Sequence, residues 1–150
     1  MKRTIHLFPL LLLAVLCASF SLFACNEEDD IDIFVGRTWK VSNLFGVSNR
    51  PVLSEEQAKT IAKEGAFYIK FESRTEFKGC TLDKNFSGTW SVDLKERTIS
   101  LRFRDTGNPS DALSKMVIQA LQRAVAYDGD YNYLKLKEAE GPYILFRPYE

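Results

Sequence analysis

Histidine is almost absent from this chain of 150 residues, because His6 is its single example. His6 lies in an N-terminal segment that, as argued below, the mature protein loses. Without histidine, Ser–His–Asp and Cys–His nucleophile pairs, His-ligated zinc and His-ligated haem are excluded. No other catalytic pattern is evident in the sequence. We therefore predict a protein that is not an enzyme and that holds no cofactor and no metal.

Cysteine is also scarce, with Cys17, Cys25 and Cys80 as the three examples. Cys17 falls in the N-terminal segment, and Cys25 is predicted below to carry lipid. Only Cys80 then remains, which excludes a disulfide within the mature domain even in an exported protein. An unpaired cysteine is usually a small buried apolar residue. The alternative is a reactive thiol, which no neighbouring residue pattern favours.

An excess of charge of either sign is lacking as well. The chain has 20 Lys and Arg residues against 20 Asp and Glu residues. Loss of Lys2 and Arg3 with the N-terminal segment leaves 18 basic residues and a formal balance of −2. Proteins that bind nucleic acid usually carry a strong basic patch. The sequence therefore predicts no nucleic-acid partner.

The first 24 residues have the three parts of a secretory signal peptide. Two cations, Lys2 and Arg3, precede a leucine-rich apolar run over 7–16, and small residues come before a break. The alternative is a retained transmembrane helix over 7–24, which is near the lower length limit for spanning a bilayer. A cleaved signal over 1–24 fits the pattern better, because no basic cluster follows the apolar run to stop its transfer.

The break itself, Leu22-Phe23-Ala24-Cys25, resembles the lipobox of bacterial lipoproteins. The resemblance implies thioether attachment of a diacylglycerol to Cys25, cleavage before that residue and acylation of the new amine. Several acyl chains on one residue anchor a protein far better than one chain does. The membrane, reached through lipid at Cys25, is therefore the first predicted partner.

An acidic run from Glu27 to Asp30 follows the predicted lipid site. It resembles the export signal that Bacteroides-type lipoproteins carry just after the lipidated cysteine. That resemblance implies the outer membrane, with the protein facing the medium. The plainer interpretation is a solvated tether, since like charges repel and extend a chain. We predict an acidic tether over 25–33 and a single domain over 34–150, a length that suits one hydrophobic core.

Alternation of apolar and polar residues dominates the predicted domain. Period two over short runs is typical of antiparallel strands with one solvated face. The apolar sets predicted to face inward are Trp39, Val41 and Phe45; Phe67, Ile69 and Phe71; Trp90, Val92 and Leu94; Ile99, Leu101 and Phe103; Leu134 and Leu136; Ile144 and Phe146.

Two segments break the alternation and predict helices. Ser54 and Gln57 have the spacing of a capping box, which predicts a short helix over about 55–63. An apolar stripe predicts a longer helix over about 111–126 that lies on the sheet. The predicted fold is mainly β, a curled antiparallel sheet or small half-open barrel of about six to eight strands with these two helices.

The order of several short motifs resembles a META domain, a family of bacterial heat-shock lipoproteins and secreted relatives. The resemblance implies a small β-rich fold similar to a lipocalin's half-open barrel, and an envelope setting. It implies no reaction and no catalytic residue. This sequence has Gly79-Cys80-Thr81 where the family has Gly-Cys-Asn, and it lacks the second cysteine motif around 106–108. The motifs are Phe34-Val35-Gly36 before Trp39, Gly79-Cys80, Gly88-Thr89-Trp90-Ser91-Val92, Tyr127, Tyr133 to Leu136, and Ile144 to Arg147.

Four side chains are candidates for ligand contact: Arg102, Arg104, Tyr131 and Tyr133. The two arginines alternate with an inward apolar set, so they are predicted to face outward. Guanidinium groups there can bind an anion or an acidic glycan, although a solvated face is the plainer interpretation. The tyrosines belong to a tyrosine-rich last quarter that suits sugars or apolar ligands, although packing also explains them.

One turn is predicted after the longer helix. Asp128-Gly129-Asp130 begins like a calcium loop, but Tyr133 and Ala139 stand where that loop needs Gly and Glu. The sequence therefore favours a tight turn between helix and strand over a metal site.

Three functions are left open by the sequence. The main prediction is a non-enzymatic binding or envelope-stress interaction domain, whose partner is another envelope protein or a glycan. The first alternative is a carboxylate-based glycan hydrolase, for which Asp93, Glu96 and Asp105 near strand ends are candidates. The second alternative is a lipocalin-like carrier of a small apolar ligand, which requires a hollow barrel.

Overall fold

A computed structural model describes residues 30–150, so the predicted signal peptide, Cys25 and most of the acidic run lie outside the described residues. Eight antiparallel strands form a closed barrel in chain order, because β1 pairs with both β2 and β8. The mainly β class is confirmed, and the barrel is closed rather than half-open. The strands are β1 (Thr38–Phe45), β2 (Tyr68–Phe71), β3 (Glu76–Cys80), β4 (Asn85–Asp93), β5 (Thr98–Asp105), β6 (Ala124–Gly129), β7 (Leu134–Glu138) and β8 (Tyr143–Pro148).

The inward face of each strand supplies the core, as the alternation predicts, with one exception on β1. Trp39 and Val41 are buried inside the barrel. A register shift between Val41 and Asn43 then turns the strand, so that Leu44 points inward instead of Phe45. Phe45 is half-buried on the outer surface. The prediction of an inward Phe45 is wrong because a bulge reverses the faces of the residues that follow it.

Two helices accompany the barrel, α1 (Glu55–Ile61) and α2 (Ala112–Arg123). The capping box of α1 is confirmed, because the backbone N–H of Gln57 donates to Ser54 Oγ and the backbone N–H of Ser54 donates to Gln57 Oε1. α2 packs against β5, β7 and β8. Among the described residues, no helix is long and apolar enough to cross a bilayer.

β6 begins where the sequence predicts the last turn of a helix. Ala124 pairs with Glu138 of β7, and this pairing ends α2 three residues earlier than the predicted 126. The turn predicted after the helix therefore joins β6 to β7. The carboxylate of Asp130 accepts the backbone N–H groups of Asn132 and Tyr133, at 2.6 and 3.3 Å.

The N-terminal segment packs into one end of the barrel, so the folded part of the chain starts before Phe34, the predicted boundary. Ile31 and Ile33 are buried, although the prediction placed both in the acidic tether. The indole N–H of Trp39 donates to the Ile33 carbonyl at 2.9 Å. The backbone N–H of Gly36 donates to the carbonyl of Phe71 at 2.7 Å. These contacts fix the direction in which the chain leaves the barrel.

Aromatic side chains fill the barrel at the level of Phe34. Its ring lies 5.1 Å from Phe71 on β2, 5.1 Å from Trp90 on β4 and 5.0 Å from Tyr127 on β6, between ring centroids. β2 and β6 are four places apart in a closed ring of eight strands and so stand opposite each other. One side chain thus spans the lumen from wall to wall.

Candidate functional site on the outer surface

The two candidate arginines lie on the outer face of β5, as predicted. Both are exposed. The Arg104 guanidinium donates to Glu76 on β3 at 2.6 Å, in an ion pair whose side chains are 58% and 55% exposed. Such pairs contribute little to stability. Arg102 lies opposite Thr89 of β4, on a surface of small polar side chains.

Tyr131 and Tyr133 lie in the β6–β7 turn, at the end of the barrel where the N-terminal segment enters. The Arg37 guanidinium lies 4.5 Å from the centroid of the Tyr131 ring. Tyr133 Oη donates to Asp128 Oδ2 at 3.4 Å, and the charge of Asp128 is the main cause that raises the pKa of Tyr133. Arg147 of β8 donates to the Asn132 carbonyl at 3.4 Å.

The structure does not bring the four candidates into one site. Arg102 and Arg104 stand toward the end of β5 that leads to α2. Tyr131 and Tyr133 stand at the opposite end, because Thr98 at the start of β5 pairs with Ala126 of β6. A ligand contacting all four would have to run along the barrel.

The three candidate carboxylates are likewise apart. Asp93 ends β4 and Glu96 lies in the β4–β5 turn, where Asp93 Oδ1 accepts the Glu96 backbone N–H at 3.0 Å. Asp105 lies at the far end of β5 and accepts the Gly107 N–H at 2.8 Å. The eight residues of β5 span about 25 Å, well beyond the separation that paired catalytic carboxylates need. Within residues 30–150, no cluster of potential metal ligands occurs either.

Cys80 is half-buried on the outer face of β3, where its thiol contacts the Thr81 carbonyl at 3.1 Å. Burial, followed by the charge of Asp83, raises the pKa of Cys80 against the opposing effect of Lys40. The Lys40 ammonium donates to the carbonyls of Lys63 and Ala66, and burial lowers the pKa of Lys40. The thiol is therefore kept protonated, which agrees with a packing role.

A further group of side chains, which shares only Tyr133 with the predicted site, meets on the outside of β1, β7 and β8. The rings of Phe45 and Tyr143 are stacked, with centroids 4.7 Å apart and an interplanar angle of 14°. Lys135 Nζ lies 5.6 Å from the Tyr133 ring and 5.1 Å from the Tyr143 ring. Lys137 lies opposite Tyr143 in the register. We call these five residues, all half-buried, the tyrosine–lysine face.

The two lysines of this face have no carboxylate within 4.0 Å among the described residues. The acids that border them already have other partners. Asp128 pairs with Arg97 at 3.5 Å, and Glu138 approaches Arg123 at 4.0 Å. The tyrosine–lysine face therefore combines partly exposed aromatic rings with two ammonium groups that form no ion pair in residues 30–150, although Asp128 lies opposite Lys135 in the register.

A groove of about 260 Å³ continues this face toward α2. Its apolar lining includes Phe45, Tyr143, Val52 and Met116, and the charged side chains of Arg123 and Glu138 also line it. The hydroxyl of Tyr143 donates to Asn49 Oδ1 at 2.5 Å, and this hydrogen bond ties the ring to the β1–α1 loop. In the sequence, Tyr133 and Lys135 alternate with the inward Leu134 and Leu136, which indicates that they face outward. That they meet Tyr143 and Phe45 depends on the strand register, which the sequence does not show.

Comparison with known proteins gives a family and a fold. The model of a family described as "Domain of unknown function (DUF4847)" matches residues 26–148. A crystal structure of a DUF4847 family protein from Bacteroides vulgatus ATCC 8482 is 32% identical, with a TM-score of 0.66 over 79% of this chain and 96% of that chain. No curated protein matches the sequence.

A second solved structure shows the fold alone. An NMR structure of a protein from Burkholderia xenovorans is 10% identical, with a TM-score of 0.58 over 79% of this chain and 85% of that chain. The barrel is thus shared by chains whose sequences have diverged widely.

Proposed function

Because the chain belongs to the DUF4847 family, whose description assigns no activity, we propose its role from geometry: a lipid-anchored outer-membrane protein that binds its partner on the outside of a filled barrel. The position of Phe34 carries this proposal, because its ring contacts both Phe71 and Tyr127 across the lumen. A carrier needs space at that level. The META-like motif order and the lipobox support an envelope setting.

The anchor would hold one end of the barrel close to the bilayer. The buried Ile31 comes six positions after Cys25, and an extended chain spans at most about 3.5 Å per residue. The entry end of the barrel therefore lies within roughly 20 Å of the lipid. Palmitate labelling in the host tests the anchor: the Cys25→Ser variant should lose both label and partitioning into detergent. Retention of either by Cys25→Ser would contradict lipidation.

Exposure to the medium is supported by the acidic run after Cys25. Treating intact cells with a protease should degrade a surface protein and spare a periplasmic one. Replacing Glu27 and Glu28 by Ala should make the protein resistant to the protease at an unchanged level of expression. If the wild-type protein already resists the protease on intact cells and yields only after lysis, it faces the periplasm.

Binding on the outside rather than in the lumen is tested by asking whether the protein purified from its own host carries a bound molecule. Native mass spectrometry of residues 26–150, secreted without the lipid site, should give the bare chain mass. The closed barrel is compatible with a lipocalin-like carrier. The hydroxyl of Tyr127 inside it has no hydrogen-bond partner among residues 30–150, which favours this second candidate. A stoichiometric extra mass would establish the carrier and overturn our proposal.

An absence of catalysis is part of the proposal. It is supported by the lack of histidine after His6 and by the separation of Asp105 from Asp93 and Glu96. Turnover of a polysaccharide by the purified protein, lost on replacing one of these acids, would establish the hydrolase alternative instead.

A further inference from the structure

We infer that the tyrosine–lysine face binds an anionic glycan, a polysaccharide with carboxylate or sulfate groups. The inference rests on the proposed function, because it needs a partner on the outside of the barrel. It goes beyond that function by naming both the surface and the chemistry of the ligand.

The aromatic part of the face suits a sugar ring. Phe45 and Tyr143 are stacked at 4.7 Å and half-buried, so the pair presents a firm apolar surface that is still open to solvent. The C–H groups of a pyranose pack on such rings, and tyrosine adds a polar edge for its hydroxyl groups. Asn49, which accepts the Tyr143 hydroxyl at 2.5 Å, places an amide beside the same edge.

The charged part of the face selects for an anion. Lys135 Nζ lies within 5.6 Å of two tyrosine rings, so a sugar packed on Tyr143 would bring its substituent beside the ammonium. Lys137, two residues further along the outer face of β7, adds a second cation directly opposite Tyr143. Neither lysine has a carboxylate within 4.0 Å in residues 30–150, and Asp128, which lies opposite Lys135, is paired with Arg97. Both ammonium groups are therefore available to a ligand carboxylate or sulfate.

Position and charge favour a glycan over other polyanions. The face runs along the side of the barrel from Tyr133, at the end where the N-terminal segment enters, to Phe45 and Tyr143 at the other end, so a bilayer held by Cys25 would meet Tyr133 but not the stacked pair. The mature chain has a balance of −2, which gives no long-range attraction for nucleic acid. The groove beside Phe45 extends the site toward Arg123, and so gives room for a neighbouring sugar.

Calorimetry on the purified mature protein tests the inference with four probes: oligogalacturonate, chondroitin sulfate, neutral dextran and duplex DNA. We expect saturable binding of at least one of the two acidic glycans that weakens with salt, and none of dextran. Failure of both acidic glycans to bind would overturn the inference. Equal affinity for DNA would also overturn it, because the attraction would then be that of any polyanion.

Two double variants locate the site. Lys135→Gln with Lys137→Gln should weaken acidic-glycan binding about tenfold, or about 1.4 kcal/mol. Lys84→Gln with Lys95→Gln removes the same charge from two distant turns, so it should stay within about twofold of the wild type if binding is local. Equal losses of glycan affinity in the two double variants would show that the tyrosine–lysine face is not the binding site. A negative result leaves the proposed function standing, because that depends on the mass measurement.

The aromatic requirement is tested by a pair of substitutions at one position. Tyr143→Leu should weaken glycan binding severalfold, and Tyr143→Phe should keep most of it because the ring stacked on Phe45 is retained. Thermal unfolding of each variant shows whether it is folded. Unchanged binding by a folded Tyr143→Leu would contradict a role for the ring.

Discussion

The ring of Phe34 meets the ring of Tyr127 edge-on, with centroids 5.0 Å apart and an interplanar angle of 81°. Phe34 comes from the segment before β1, and Tyr127 comes from β6. The contact therefore joins the entry of the chain to the far wall of the barrel. The same contact fills the lumen, which is why the proposed binding surface lies outside.

Phe34→Ala should destabilise the protein by about 3–5 kcal/mol, because a fully buried ring with three aromatic neighbours would leave a cavity. Urea unfolding followed by circular dichroism measures the loss. Phe34→Leu, which keeps most of the volume, is the control and should lose markedly less. A loss below about 1 kcal/mol for Phe34→Ala would mean that the ring is not part of the core.

Tyr127→Phe should leave the free energy of unfolding at pH 7 unchanged or raise it by up to about 1 kcal/mol. Within the part of the chain that the structure describes, the buried Tyr127 hydroxyl has no hydrogen-bond partner, so its removal relieves an unpaired polar group while the ring contacts remain. Urea unfolding of the wild type and of Tyr127→Phe measures the difference in the free energy of unfolding. A loss of more than about 1 kcal/mol would show that the hydroxyl is bonded in solution.

The same hydroxyl should make stability depend on alkaline pH. Burial raises the pKa of Tyr127 above its usual 10.0, and this outweighs the opposing charge of Arg97. The folded state thus holds the phenol proton more tightly than the unfolded state does. The free energy of unfolding that comes from this tighter proton binding is fully present below pH 10. It is lost as the pH rises through the pKa of Tyr127 in the folded state. The slope above pH 10 should therefore be shallower in Tyr127→Phe than in the wild type.

Asp111→Ala should cost about 1 kcal/mol, because the Asp111 carboxylate caps α2 by accepting the Ser114 backbone N–H at 2.8 Å. Asp111→Asn keeps a hydrogen-bond acceptor at this position and is the matched control. Its free energy of unfolding should fall by only a few tenths of a kcal/mol. Urea unfolding at neutral pH measures both. Equal losses for the two variants would contradict capping as the cause.

The charge of Asp111 predicts a further dependence on acid. Burial acts to raise the pKa of Asp111, but hydrogen bonds from Ser114 outweigh it and hold the pKa below the usual 3.8. A lowered pKa stabilises the fold above 3.8, and this contribution is lost as the pH falls through the folded value. Asp111→Asn should reduce the slope of stability against pH in that range and nowhere else.

Gly88→Ala should destabilise the barrel by about 3 kcal/mol, at the upper end of the cost of overpacking. A methyl group at Gly88 would overlap the Arg102 carbonyl of β5 and would lie 2.8 Å from the Phe77 ring. Gly46→Ala is the control, because its methyl meets only exposed Val52 closely, at 3.3 Å, and that side chain can move. Thermal unfolding should separate the two clearly. Similar melting temperatures would contradict the close approach of β4 and β5.

The failures of sequence reasoning have local causes. The sequence analysis predicted no strand over Glu76–Cys80. The inward face of β3 has only one large apolar residue, Phe77, and the next inward position is Gly79, so the alternation is too weak to recognise. β6 was missed because Ala124 and Val125 continue the apolar stripe of α2, and a short apolar run does not distinguish helix from strand. The inward Phe45 was wrong because bulges leave no period-two signal.

By itself the sequence determined which residues alternate and where α1 is capped, since these depend on neighbours along the chain. Its composition showed which chemistries the lack of histidine after His6 disfavours. It also carries the lipobox-like motif before Cys25, a local pattern that does not depend on the fold. The tertiary structure decided that β1 closes on β8, that Phe34 fills the lumen and that Lys135 lies between Tyr133 and Tyr143. Those contacts join residues far apart in sequence, and register and packing of the whole barrel, rather than local propensity, select them.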